Sequence, residues 1–176
     1  MGAKRKLLVL AIAIVIAYFG AQQFGLFSSL DRIADIDARY GLSDGMLAPA
    51  EMASIEKYEA ELKAASSGFL VSDSSRKIGE VKLELAEMQK SMLALREHSA
   101  KINFSRPDCS VAGMVALAKK DAEAALGHAE AATEKRSQIG NVASFREITG
   151  KDFDTTMAAV NDALGESVKS LNSLCR

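Results

Sequence analysis

The chain has 176 residues, and its 22 Lys and Arg nearly balance its 23 Asp and Glu. No basic patch stands out along it, which argues against nucleic acid or an anionic lipid surface as the main ligand. Trp is absent and Pro occurs only twice, while the helix formers Ala, Glu, Lys, Leu and Met are plentiful. Because stretches that alternate apolar and polar residues are also lacking, this composition predicts an all-α protein.

The first predicted element is an apolar segment that follows three cations, Lys4, Arg5 and Lys6. Residues 7–19 are all apolar, a length that suits the hydrophobic region of a signal peptide, which has roughly 7–15 residues. The apolar character resumes beyond two glutamines, so residues 7–27 are long enough to cross a bilayer, which needs about 20. Because no small residues are spaced for cleavage, we favour an uncleaved transmembrane anchor over a cleaved signal peptide.

The three cations also predict how the chain is oriented in the membrane. By the positive-inside rule, residues 1–6 form a cytoplasmic tail and everything beyond the anchor is extracytoplasmic, either periplasmic or at the cell surface. Such a tail is too short for a cytoplasmic output domain. We expect a juxtamembrane segment over residues 28–48 and an extracytoplasmic helical bundle over residues 49–176. Without the three cations, 19 Lys and Arg face 23 Asp and Glu, which gives the exported part a net charge of −4.

Apolar residues three or four positions apart predict two helices before the most regular one. The first covers residues 28–40 and ends at the glycines that follow Tyr40. The second begins near Pro49, because proline is favoured in a first helical turn, and it fades at Ser66. Its inward positions are expected to be Met52, Ile55, Tyr58 or Glu59, Leu62 and Ala65.

The most regular pattern in the chain predicts a long helix that begins in the serine-rich cap region at residues 72–75. Its apolar seam alternates steps of three and four, as a coiled coil does, and consists of Ile78, Val81, Leu85, Met88, Met92, Leu95, Ser99 and Ile102. Pro107 forbids continuation, so the helix is expected to end around Asn103. We favour burial of this seam within one chain over self-association of two chains.

Two further helices are predicted in the second half of the chain. One runs from Cys109 to about Ile139 and carries a face of small side chains, which lets a neighbouring helix approach closely. That face reads Val111, Val115, Ala118, Ala122, Ala125, Ala129, Ala132 and Ile139. The other helix runs from about Asp152 to Leu174, with Phe153, Met157, Val160, Leu164, Val168, Leu171 and Leu174 inward.

Short connections between the four long helices favour an antiparallel up-down-up-down four-helix bundle. In the full architecture, an N-terminal transmembrane helix comes first and a short juxtamembrane helix joins it to this bundle. The sequence leaves open which end of the bundle faces the membrane.

The two cysteines, Cys109 and Cys175, are expected to form a disulfide bond, as an even pair in an exported domain usually does. Cys109 opens one predicted helix and Cys175 closes the next, so antiparallel packing would bring them together. The chain-entropy model gives such a long loop roughly 4 kcal/mol of stabilisation. The alternative is two free thiols in a reducing compartment. A nucleophilic cysteine is disfavoured, since neither His98 nor His128 has a partner by spacing.

The sequence carries no recognisable motif for catalysis, metal binding or a cofactor. A di-iron bundle needs Glu three residues before His on two helices, but Leu95 precedes His98 and Ala125 precedes His128. Cys-x-x-Cys, His-x-x-x-His, EF-hand and glycine-rich phosphate motifs are also missing. We therefore predict that both histidines lie on solvated helix faces, and that the chain is not an enzyme and uses no metal or cofactor.

These features predict a membrane-anchored extracytoplasmic protein that acts as a structural or protein-interaction module of the cell envelope. Its contacts are expected to be the lipid bilayer, through residues 7–27, and an unidentified protein partner or a second copy of the chain. The alternative is an exported ligand-binding or sensor-type helical domain, working with a membrane partner that carries the output. A sizeable apolar pocket favours the alternative, whereas a filled core with an exposed apolar strip favours the interaction module.

Overall fold

The computed structural model describes residues 29–42, 51–68, 71–103, 111–140, 142 and 145–174. Across these residues the chain is helical and contains no strand, which confirms the all-α prediction. The helices are α1 (Ser29–Arg39), α2 (Met52–Ser66), α3 (Asp73–Ser99), α4 (Ala112–Ser137), the single turn α5 (Arg146–Thr149) and α6 (Lys151–Ser173). The bounds of the longer helices fall within about one helical turn of those predicted.

The short helix α1 is part of the helical core. Its two isoleucines, Ile33 and Ile36, are buried, and the helix packs on both α2 and α3. The apolar spacing predicted for this segment is therefore confirmed. An isolated helix of 11 residues is marginal in water, so α1 depends on this packing for its stability.

The helices α2 and α3 come very close where Ser66 faces Gly79. A Cβ atom at Gly79 would lie 2.3 Å from the Cβ of Ser66, so a larger residue cannot enter without moving the helices. The start of α3 is fixed by the hydroxyl of Ser72, which accepts a hydrogen bond from the Ser75 amide at 3.1 Å. The predicted serine cap at the start of α3 is confirmed.

The predicted inward faces of α2 and α3 are confirmed except near one end of each helix. In α2, Tyr58 and Glu59 are both buried, but Met52 in the first turn is 41% exposed. In α3, the seam is buried as far as Met88, and its next members, Met92 and Leu95, are only partly covered. The wholly buried core is thus concentrated at one end of the molecule.

The pair of α3 and α4 is the most extensive contact in the described part of the chain. The helices are antiparallel, because Glu84 pairs with His128 while His98, further along α3, pairs with the earlier Asp121. All the alanines of the predicted small face are fully buried: Ala118, Ala122, Ala125, Ala129 and Ala132. Small side chains let the two helices approach closely, as the sequence predicted.

The last long helix, α6, packs on α4 and on the turn α5. It is antiparallel to α4, since Asp154 at its start lies near Arg136 at the end of α4, and Leu171 near its end clusters with Ala118. In the described residues, α2 is not one of the principal neighbours of α6. The long helices therefore pack chiefly in chain order, α2 on α3, α3 on α4 and α4 on α6.

The connection between α4 and α6 is held by side-chain bonds to the backbone. The guanidinium of Arg136 donates to the carbonyl oxygens of Ile148 at 2.9 Å and Thr149 at 2.8 Å. The hydroxyl of Thr149 donates to the carbonyl of Phe145 at 2.8 Å. Phe145 and Ile148 are buried beneath this turn, so the connection is a packed part of the core.

The predicted transmembrane anchor at residues 7–27 and the orienting cations Lys4, Arg5 and Lys6 lie outside the described residues. Among the helices that the structure does describe, none combines the length and the apolar character that crossing a bilayer requires.

Candidate functional site

A buried ion pair joins α1 to α3. Lys82 Nζ lies 2.8 Å from Asp37 Oδ2, and the two side chains are only 3% and 5% exposed. The hydroxyl of Tyr58, on α2, donates to the other carboxylate oxygen of Asp37 at 2.8 Å. A charge removed from water is costly unless it is paired and hydrogen-bonded, and both conditions are met here.

Spacing could have shown that each of these two residues lies on an inward helix face, though not that they pair. Asp37 follows Ile36 and lies four positions after Ile33, while Lys82 follows Val81 and lies four positions after Ile78. Residues at these intervals share one face of a helix. The apolar pattern alone does not mark Asp37 and Lys82 as inward residues, because charged side chains are usually exposed.

The ammonium group of Lys82 also faces an aromatic ring. Its Nζ atom lies 5.5 Å from the ring centroid of Phe145, within the range of a cation–π interaction. Phe145 is 1% exposed and precedes the turn α5. Lys82 therefore links α1 and α2, through Asp37, to the connection between α4 and α6.

A second polar contact fixes the first residue of α1. The hydroxyl of Ser29 donates to Ser75 Oγ at 2.6 Å, and the two hydroxyls of Ser75 and Ser72 are 2.7 Å apart. Ser29 and Ser75 are both buried. The start of α1 is thus bonded to the cap of α3, two turns away from the Asp37 ion pair.

A carboxylate on α2 bonds to α3 further along the same interface. Lys90 Nζ lies 3.1 Å from Glu59 Oε2 and 2.8 Å from Glu87 Oε2. Burial lowers the pKa of the Lys90 ammonium, but the hydrogen bonds and charges of the two carboxylates outweigh burial and raise this pKa above its usual value. The other oxygen of Glu59 is buried without a hydrogen-bond partner.

Both histidines bond to a carboxylate on the neighbouring helix. His98 Nδ1 lies 2.6 Å from Asp121 Oδ2, and His128 Nδ1 lies 2.8 Å from Glu84 Oε2. The imidazoles are 23% and 36% exposed. The prediction that they lie on solvated faces is corrected: sequence spacing tests partners on the same helix, and these partners come from the opposite one.

Glu84 also bonds to a second side chain of α4. Its second oxygen accepts a hydrogen bond from Lys135 Nζ. Burial raises the pKa of the Glu84 carboxyl, but the hydrogen bonds from Lys135 and His128 outweigh burial and lower this pKa below its usual value. Glu84 therefore stays ionised and crosslinks two turns of α4 to α3.

A carboxylate that orients an imidazole is an arrangement that general-base catalysis uses. Within the described residues, however, each imidazole bonds only to its carboxylate and to no hydroxyl or thiol that could serve as a nucleophile. The same part of the chain also lacks any group of three or more His, Cys, Asp or Glu side chains able to hold a metal ion. These pairs act as contacts between α3 and α4.

Two open grooves lie on the surface formed by the described residues. One, of about 370 Å³, lies between the end of α3 and the end of α6, and is lined by Leu95, Ser99, Glu166, Ser167, Ser170 and Leu171. The other, of about 490 Å³, lies between α1 and α2, and is lined by Arg32, Asp35, Ile36, Arg39, Glu61 and Ala64. Neither is an enclosed apolar pocket with convergent polar groups, the usual form of a small-molecule site.

The predicted disulfide cysteines, Cys109 and Cys175, fall outside the described residues. Two described residues close to them, Val111 and Leu174, both pack against the same small apolar cluster, which includes Leu171. Val111 and Leu174 therefore lie at the same end of the molecule.

Comparison with known proteins gave no relatives: no family model matches the chain, and neither a curated protein nor a solved structure matches it.

Proposed function

We propose that the protein is a membrane-anchored extracytoplasmic module with a structural or protein-interaction role in the cell envelope, and that it is not an enzyme. The observation that supports a structural rather than an enzymatic role is the placement of the charged groups. The buried and half-buried ones join one helix to another, as in Asp37–Lys82, Glu59–Lys90 and Glu84–His128. An enzyme instead directs such groups toward a shared cleft.

The proposed architecture is an antiparallel up-down-up-down bundle of α2, α3, α4 and α6, attached through α1 to a transmembrane anchor at residues 7–27. It is supported by the antiparallel pairs between consecutive helices and by the position of α1, which begins two residues after the apolar segment ends. In this arrangement, residues 1–6 are cytoplasmic and the bundle is periplasmic or at the cell surface.

A disulfide bond between Cys109 and Cys175 belongs to the same proposal. The packing of Val111 and Leu174 on one cluster supports it, and so does the extracytoplasmic location, where disulfides form and persist. The bond would close the end of the molecule at which α3, α4 and α6 meet.

Crosslinking in native membranes, followed by affinity purification of the full chain, tests the interaction role. We expect a defined crosslinked species of higher mass, either with another envelope protein or with a second copy of the chain. A chain that stays monomeric under conditions that crosslink known envelope complexes would contradict the interaction role.

A reporter fused after Arg176 tests the location. An enzyme that is active only after export should be active, and one that fluoresces only in the cytoplasm should be dark. The reverse pair of results would contradict the proposed orientation.

A sensor-type ligand-binding domain is the second candidate, favoured by the open groove between α3 and α6. Leu95 and Leu171 give this groove apolar walls, and Ser167 and Ser170 provide hydroxyls. A thermal-shift screen of small polar and amphipathic molecules would detect such a ligand. Stabilisation that disappears in Ser170→Leu but persists in Ser173→Leu would favour this candidate over the first.

A further inference from the structure

The groove between α1 and α2, of about 490 Å³, has charged walls. Three charged residues of α1, Arg32, Asp35 and Arg39, line it at steps of three and four, so they share one face of the helix. Glu61 of α2 also lines the groove. Among these lining side chains, two cations are balanced by two anions, which suits a ligand that carries both charges.

Arg39 and Glu61 neutralise each other across the groove. They form an ion pair, and the second oxygen of Glu61 accepts a hydrogen bond from the Tyr40 hydroxyl at 3.1 Å. The ring of Tyr40 packs edge-on against that of Tyr58, with the ring centroids 5.3 Å apart. Both carboxylate oxygens of Glu61 are thus bonded within the chain, and Arg39 has its counter-charge.

Arg32 and Asp35 are the two lining charges that remain. Both are exposed, and within the described residues neither takes part in an ion pair or a side-chain hydrogen bond. An acid four positions before a base is the favourable order for pairing on a helix, but Arg39 is already paired with Glu61. Arg32 precedes Asp35, which is the less favourable order. A guanidinium and a carboxylate are therefore left side by side, with Cβ atoms about 5–6 Å apart.

A ligand that satisfies both groups must carry an anion and a cation close together. A guanidinium binds phosphate through paired hydrogen bonds, and a carboxylate accepts hydrogen bonds from a primary ammonium. A phosphoethanolamine group has both, joined by a two-carbon link, and its charges are more nearly as far apart as Arg32 and Asp35 than those of an α-amino acid are. Ile36 and Ala64 supply apolar groove surface for the link.

We propose that this groove binds a phosphoethanolamine group, with the phosphate on Arg32 and the ammonium on Asp35. The place of α1 in the chain favours a phospholipid as the source of the group. Helix α1 begins two residues after the apolar segment 7–27, so the groove lies next to the bilayer if that segment is the proposed anchor. Only the choice of a lipid over a soluble molecule depends on the proposed function; the site depends on the described residues.

Native mass spectrometry of the full chain tests the lipid source. The chain is released from detergent micelles that contain equal amounts of phosphatidylethanolamine, phosphatidylcholine and phosphatidylglycerol, and the retained lipids are compared. We expect phosphatidylethanolamine to be retained at least about threefold more than either of the others. Phosphatidylcholine has the same phosphate, but its quaternary ammonium has no N–H to donate to Asp35, and phosphatidylglycerol has no ammonium.

Two substitutions separate the contributions of the two charges. Asp35→Asn should remove the preference for phosphatidylethanolamine over phosphatidylcholine, and Arg32→Gln should lower the retention of both lipids. Circular dichroism checks that both variants fold, as expected for exposed positions. The matched controls are Glu56→Gln and Lys57→Gln, which remove the same charges from exposed positions of α2 that are not among the lining residues of the groove. They should leave lipid retention unchanged.

Calorimetric titration of the full chain with glycerophosphoethanolamine, in a nonionic detergent, tests the site without a bilayer. We expect saturable binding that Asp35→Asn and Arg32→Gln each weaken by at least about threefold. Saturable binding together with equal retention of the three lipids would support the site and identify a soluble source.

The absence of binding in both experiments would overturn the proposal, and so would binding that neither groove variant weakens. The titration does not depend on where the protein resides in the cell. If it succeeds while the reporter fusion contradicts export, the proposed location fails and the site stands.

Discussion

The helix faces at the two ends of the molecule are buried by different kinds of contact. We call one the ion-pair end, where α1 and α2 cover the first half of α3 and where the buried charges and aromatic rings lie: Asp37, Tyr58, Lys82 and Phe145. The other is the three-helix end, formed by α3, α4 and α6. Among the described residues, its cluster of buried side chains contains Ile102, Val115, Ala118, Ala122 and Leu171.

The difference lies in what holds each end together. At the ion-pair end, the larger cluster includes wholly buried Ile33, Ile55, Leu62 and Phe153, so this core is extensive enough to enclose a salt bridge. At the three-helix end, the described part of the cluster includes Ala118 and Ala122, whose small side chains contribute little apolar area. Val111 and Leu174 pack at this end, so the proposed disulfide would add a covalent bond where the buried side chains are small.

The largest expected effect is at the ion-pair end. Asp37→Ala should lower the free energy of unfolding by about 3–5 kcal/mol, because it breaks a buried ion pair and a buried hydrogen bond at once. Denaturant unfolding monitored by circular dichroism measures this change. Asp121→Ala removes a more exposed carboxylate partner at the three-helix end and serves as the comparison. Equal losses in the two variants would contradict the distinction between the ends.

The next effect concerns the predicted bond at the three-helix end. Cys109→Ser should lower the free energy of unfolding by about 2–4 kcal/mol in non-reducing buffer. Hydrogen exchange should rise mainly at residues 111–122 and 164–174. The same variant in a reducing buffer is the control, where wild type and variant should agree. If the wild-type free energy of unfolding is the same with and without reductant, the cysteines are free.

A substitution at the contact of α2 and α3 should have a somewhat smaller effect. Gly79→Ala places a Cβ atom 2.3 Å from the Ser66 Cβ, which should cost about 1–3 kcal/mol as overpacking. Gly127→Ala is the matched control, because nothing lies within 4 Å of its added Cβ. That control should stabilise its helix by about 0.5–1 kcal/mol. Thermal unfolding of both variants should therefore shift in opposite directions.

The smallest expected effect is a dependence on pH from Glu84. Its folded pKa lies below its usual value, since the hydrogen bonds from Lys135 and His128 outweigh burial. Its stabilising contribution is therefore complete above its unfolded pKa, about 4.3, and is lost as the pH falls through the folded pKa. Glu84→Gln should flatten the acid limb of the stability profile, from about the unfolded pKa of 4.3 downward.

The control for this pH profile is Glu130→Gln, on an exposed position of the same helix pair. It should leave the acid limb of the curve as steep as in the wild type. If the free energy of unfolding falls equally steeply with acid in Glu84→Gln and in the wild type, the hydrogen bonds to Glu84 do not contribute to the acid dependence of stability.

Much of the fold could be predicted from the sequence, because apolar spacing and caps determine helices locally. The alanine face of α4 predicted a close neighbour, and the serines at residues 72–75 predicted the start of α3; both are confirmed. What spacing could not give is which helices meet. The pairing of Lys82 with Asp37, and of each histidine with a carboxylate, depends on tertiary contacts between separate helices.

The candidate site was harder to predict than the fold, for the same physical reason. Gly79 is an ordinary glycine in the sequence, and its importance follows only from the approach of Ser66. Spacing had also left a choice between Tyr58 and Glu59 on the inward face of α2. Both are buried, because Tyr58 bonds to Asp37 and Glu59 bonds to Lys90.

Protease treatment of intact cells that express the full chain, followed by isolation of the membranes, tests the central claim most directly. If the anchor and orientation are as proposed, the bundle is digested from outside or after opening of an outer membrane. A fragment that contains the first residues then remains with the membrane. A chain that resists digestion until the cytoplasm is opened, or that is recovered whole in the soluble fraction, would contradict the account.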